Sequence, residues 1–140
     1  MDLRPPEIEA ANRAEATATL IRCGYRVYRP EADVDGEDLI LRNLRGGLIK
    51  VQLKGRLTVD WDRYGKKDLW MFFPNSIYEE GVKRVWYLVP HDKLFRMAKA
   101  KHGHTPGWAQ VWSTRTMSVA ECSALASRAL IAPMLQPAPG

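Results

Sequence analysis

The chain has 140 residues, 46% of them hydrophobic and 26% charged, and carries a net charge of +5. That length holds one domain with a real core, and the composition excludes global disorder. No apolar run approaches the ~18 residues that a membrane span needs, and the polar, acidic opening MDLRPPEIEAANRAEATATLI excludes a secretory signal, so a cytoplasmic protein is expected.

In chain order, Pro5 and Pro6 precede an acid-rich stretch with apolar residues near helical spacing, which predicts a first helix over 7–22 closed by Gly24. YRVYRP predicts a short strand with Tyr25 and Val27 on one face, ended by Pro30, and EADVDG an acidic turn. EDLILRNL and GLIKVQLKG predict two strands joined through Arg45, Gly46 and Gly47 as a hairpin. RLTVDWDRYGKKDLWMFFP reads as a polar loop or short hairpin around Tyr64 and Gly65, then an apolar strand from Leu69 to Phe73. The strand order of residues 57–75 stays open, because the pattern there fits more than one register.

VKRVWYLVP predicts a strand in which Val85, Tyr87 and Val89 alternate with Trp86 and Leu88. A helix capped by Asp92 follows and stops at Gly103. TPGWAQVWS reads as a loop and a short strand, and SVAECSALASRALIAPML as a final amphipathic helix with the capping-box pair Ser118 and Glu121. Together these predict a single α/β domain over 1–134, a mixed central sheet flanked by helices, with a frayed tail at 135–140. Cys23 and Cys122 form no CxxC and read as buried, reduced thiols.

The positive charge is concentrated. Residues 42–67 hold eight Lys or Arg against Asp60 and Asp62, a balance of +6, while the remaining thirteen basic and fourteen acidic residues give −1. Such a segment suits a polyanion such as DNA; the plainer alternative is a solvated basic face. Within it, VQLK ends an apolar strand, so Gln52 and Lys54 point to one face while Val51 and Leu53 point to the other. A hairpin that brings Asp38 beside Gln52 and Lys54 makes a compact polar site. Carboxylate and amide oxygens are hard ligands for Mg²⁺ or Mn²⁺, and Lys54 is placed to orient a water or to stabilise charge on a phosphate. Asp33, Asp35 and Glu37 are rivals of Asp38, and strand alternation does not choose among them.

An acid after a glycine-containing turn, a hairpin, and an acid-or-amide-x-Lys on its second strand resemble the PD-(D/E)XK nuclease superfamily. AEATATLIRCGYRVYRP resembles the first helix and strand of its Holliday-junction-resolvase-like members, and the Gln-x-Lys pattern resembles a variant branch. The resemblance spans residues of about 10 to 56. It implies a restriction-endonuclease-like core and a metal-dependent endonuclease acting on DNA. Asp38, Gln52, Glu15 and the Leu53 backbone carbonyl would hold Mg²⁺ or Mn²⁺, and Lys54 would be the catalytic lysine. It also selects Asp38 among the acids. Gln52 stands where an acid is usual, and a neutral amide should hold the metal more weakly.

Lys50, Arg56, Arg63, Lys66 and Lys67 are the candidates for phosphate contacts, and Trp61 and Tyr64 for stacking on bases. A homodimer acting on two strands is expected of so small a domain. His102-x-His104 has no third ligand at metal spacing and reads as a loop. The alternatives are a nucleic-acid-binding domain of the same fold with a disabled site, and a structural domain whose basic segment is solvated.

Overall fold

A computed structural model describes residues 2–32 and 36–131 of the chain. Helix α1 (Pro5–Arg22) starts on two prolines, whose fixed φ suits a first turn, and Glu7 accepts the Arg4 backbone N–H at 3.0 Å. Gly24, at φ +92°, takes the left-handed turn that ends it. Strands β1 (Arg26–Tyr28), β2 (Leu39–Arg42) and β3 (Leu48–Leu53) form an antiparallel meander. The β2–β3 turn is shaped by Asn43, whose side-chain oxygen accepts the N–H groups of Arg45 and Gly47, with Gly46 at positive φ.

Beyond β3 the chain crosses over through β4 (Leu57–Asp60) and the short helix α2 (Trp61–Tyr64). It returns as β5 (Leu69–Pro74), which lies parallel to β3. Strand β6 (Trp86–Pro90) adds antiparallel to β5. Helix α3 (His91–His102) and strand β7 (Val111–Thr114) follow, and β7 pairs with β4 in a separate two-stranded sheet. Helix α4 (Val119–Ala124) begins with the reciprocal Ser118–Glu121 cap, and after a 3₁₀ turn β8 (Ala129–Leu130) pairs with β6. The main sheet is therefore mixed, in the order β1-β2-β3-β5-β6-β8.

Each face of this sheet closes its own core. Leu39, Leu41, Val51, Phe72 and Trp86 pack with Ala16 and Leu20 of α1. Met71, Phe73, Tyr87 and Val89 pack on the opposite face with Leu94 and Phe95 of α3, and with Leu57, Val59 and Tyr64 of the crossover. Phe72 and Trp86 stack at 5.0 Å between ring centroids, worth about 0.5–1.5 kcal/mol beyond their buried area. A crossover of a dozen or more residues is what parallel pairing demands, and here it is also core.

Four expectations are corrected. The final helix ends at Ala124, not near residue 135, because Ala129 and Leu130 pair with Tyr87 and Trp86 and cover the edge of β6. The remainder of that stretch, and the tail, lie outside the described residues. Val85 lies before β6 and is exposed, its N–H held by the Asn75 side chain. Asp92 does not cap α3; it accepts the Lys66 N–H at 3.1 Å. Tyr64 is 2% exposed, so its ring closes the core over α3 and is not offered for base stacking, while Trp61, half-buried, packs on Phe95 at 4.9 Å between centroids.

Candidate functional site

Strand alternation divides β3 as its sequence implies. Val51 is fully buried on the α1 side, where Leu53 also packs. Gln52 pairs with Met71, whose side chain belongs to the α3-side core, and Gln52 itself is buried. Beyond the strand, the Lys54 N–H donates to the Phe72 carbonyl at 3.0 Å, and its ammonium lies 5.4 Å from the centre of the Tyr64 ring. The Arg63 guanidinium lies 5.2 Å from the same ring. Two cations thus lie against one buried aromatic ring.

Asp38 sits in the bend that leads into β2. Its N–H donates to the Val51 carbonyl at 2.8 Å, and its Oδ2 accepts the Leu53 N–H at 3.0 Å. Two main-chain bonds to β3 therefore aim this carboxylate, which is why strand alternation alone could not. Asp38, Leu53 and Lys54 line one cavity of about 160 Å³ together with Glu9, Asn12 and Arg13 of α1 and with Arg29.

Glu15 and Gln52 are not among the residues lining that cavity. The Glu15 carboxylate is engaged elsewhere: it accepts from Arg84 at 2.7 and 3.2 Å and from the Trp86 indole N–H at 2.9 Å. The same guanidinium, its side chain 1% exposed, also donates to Asn12 at 2.7 Å and to the Ser76 carbonyl at 2.9 Å. A buried guanidinium needs such saturation of its donors. Asn12 in turn lies against the turn after Lys54: a Cβ on Gly55 would stand 2.8 Å from the Asn12 amide nitrogen. Helix α1 is thus tied to both Arg84 and the Lys54–Gly55 turn.

The helix carboxylate that lines the cavity is Glu9, whose partner is Arg13 one turn on, at 3.2 Å and well exposed. Such a surface pair is weak, about 0.3–0.5 kcal/mol. The chemistry of the donors fits a hard cation: Mg²⁺ is usually held by one or two carboxylates plus substrate phosphate, and Asp38 and Glu9 both face this space. Among the described residues no three His, Cys, Asp or Glu side chains cluster at metal spacing, and Asp33 and Asp35 lie outside them.

The expected phosphate contacts divide into two groups. The Lys50 ammonium donates to the Lys67 carbonyl at 2.9 Å, which ties Lys50 to the entrance to β5, while Arg63 lies over the Tyr64 ring. Arg56 belongs instead to a groove beside Lys54. Sequence reading missed Glu9, Asn12, Arg13, Arg29 and Arg84. The (i, i+4) spacing of Glu9 and Arg13 and an asparagine inside a helix, where its propensity is poor, were the available signals.

His91 is buried and has no free nitrogen to offer a metal. The Asp60 N–H donates to its Nε2 at 3.1 Å, so Nδ1 carries the proton and donates to Asp92 at 2.9 Å. Desolvation holds its pKa below the ordinary value, partly opposed by Asp92 and Asp60. Between that depressed pKa and about 6.5, the unfolded chain takes up a proton that the folded chain does not. Stability is therefore full above pH ~6.5 and falls on acidification through this window. Urea midpoints measured between about pH 7 and about pH 5 should show the fall, and His91→Asn should flatten it.

Compared with known proteins, no family model matches the chain, no curated protein matches it, and no solved structure matches it. Among the described residues no helix is long and apolar enough to cross a membrane. Both cysteines are unpaired and half-buried.

Proposed function

We propose that this chain is a Mg²⁺- or Mn²⁺-dependent endonuclease of the PD-(D/E)XK type that hydrolyses phosphodiester bonds of DNA in the cytoplasm. The observation that carries the reading is the shared cavity of Asp38, Leu53 and Lys54, with the Asp38 carboxylate fixed by the Leu53 N–H at 3.0 Å. A helix, a strand and a hairpin that ends in Gln-x-Lys, within a mixed sheet covered on both faces, support a restriction-endonuclease-like core.

Asp38 and Glu9, with the Leu53 carbonyl, are the oxygen donors that would hold the ion; Gln52, buried on the other face of β3, does not line this cavity. Bound there, it supplies Lewis-acid polarisation of a phosphate oxygen and a water acidic enough to attack at neutral pH. Lys54 reaches the same cavity, where its ammonium stabilises the negative charge that builds on the phosphate. Arg13 and Arg29 line the cavity and attract the phosphate to it. Lys50, Arg63, Lys66 and Lys67 extend the positive surface beside Tyr64.

The test is cleavage of supercoiled plasmid and of labelled branched DNA with Mg²⁺, with Mn²⁺ and with EDTA. Cutting with either metal and none with EDTA is the expected result. If neither metal supports cutting while DNA is still bound, the nuclease reading falls, and a nucleic-acid-binding domain of the same fold with a disabled site takes its place.

A further inference from the structure

Beside the cavity at Asp38 lies a second, larger space. A groove of about 600 Å³ shares Asn12, Lys54 and Gly55 with it and runs between the first half of α1 and the β4–β7 sheet. Its cations are Lys54, Arg56 and Arg115, and no carboxylate lines it, in contrast to the cavity beside it. Among the described residues none of these three cations forms an ion pair. Thr58 and Ser113 add hydroxyl groups on the sheet wall, and the Tyr78 ring, with the Arg84 guanidinium 5.4 Å from its centre, adds an aromatic surface.

Cations without acids, hydroxyls and an aromatic surface in a two-walled groove are the elements that track a single sugar–phosphate strand. A duplex keeps its backbones about 12 Å apart across the major groove and reaches such a groove only with one edge. We propose that this groove binds one unpaired strand of DNA. Its phosphates lie on Arg115, Arg56 and Lys54 in turn, so that the strand leads into the Asp38 cavity. The last step, delivery of a scissile phosphate, rests on the endonuclease reading; strand binding does not. Arg115 lies far in sequence from the basic segment 42–67 and reaches it because β7 pairs with β4.

The experiment is fluorescence anisotropy in EDTA with a short fluorescein-labelled DNA oligonucleotide. It is offered single-stranded and as a duplex, to the wild-type chain and to Arg56→Gln and Arg115→Gln. Both arginines are exposed, so the variants should fold, and circular dichroism verifies it. The single strand is expected to bind more tightly than the duplex. Each substitution should weaken single-strand binding about tenfold and lower the salt slope by about 0.7, with duplex binding unchanged. Equal or tighter binding of the duplex, no binding of either, or full single-strand affinity in both variants overturns the proposal. Because no metal is present, a chain that never cuts DNA leaves these titrations unaffected, and a duplex-specific nuclease would fail them while still cutting.

Discussion

Lys54→Ala is expected to slow metal-dependent cleavage by about 10²–10³-fold, the range found when one preorganised donor to a developing oxyanion is removed. The loss should fall mainly on kcat, because Lys54 acts on charge that develops in the transition state, with a smaller rise in KM from its lost phosphate contact. Stability should change little. The side chain is half-buried, forms no ion pair among the described residues, and contributes one cation–π contact at 5.4 Å from the Tyr64 ring, worth about 0.5–1 kcal/mol at an exposed site. Lys54→Met keeps the aliphatic stem over that ring and removes only the charge. Equal loss of cleavage in both variants, with unchanged urea midpoints, is the expected pattern. Cleavage that survives in both would remove Lys54 from the chemistry, and the Asp38 cavity would then need another cation.

Much of the frame was legible because it rests on local rules. Two prolines open α1, Gly24 ends it, and apolar alternation with Asn43 and two glycines makes the β2–β3 hairpin. What escaped was decided by partners remote in sequence. The apolar run Ala129–Leu130 reads as helix until the open edge of β6 is known to need cover. Tyr64 sits among charges in the sequence, yet the crossover folds it under the sheet against His91, at 5.6 Å between ring centroids. At the site, Asp38 is selected by the family resemblance and not by strand alternation, and it lines one cavity with Lys54. The choice of helix carboxylate was not legible, since Glu9 and Glu15 lie on one helix and only tertiary packing sends Glu15 to Arg84.

That assignment makes Arg84→Ala the substitution with the largest expected effect on stability, a loss of about 3–5 kcal/mol, because removing one partner leaves the other buried charge uncompensated. Three acceptors depend on this guanidinium: Glu15, Asn12 and the Ser76 carbonyl. Glu15 is itself only 29% exposed, so water replaces little of what is lost. Glu15→Gln keeps the shape and the indole acceptor but leaves Arg84 facing a neutral amide, and a smaller loss of about 1–3 kcal/mol is expected. Urea unfolding of both single variants and the double variant measures the coupling directly. The pair also decides what Glu15 does. If its carboxylate serves Arg84, Glu15→Gln costs stability, and cleavage by the folded fraction changes little. If the carboxylate instead serves the metal, neutralising it abolishes cleavage and leaves the unfolding midpoint where it was. Glu9→Gln, exposed and paired only with Arg13, should then show the converse pattern: full stability with weakened metal dependence, since the cavity has lost one of its two carboxylates.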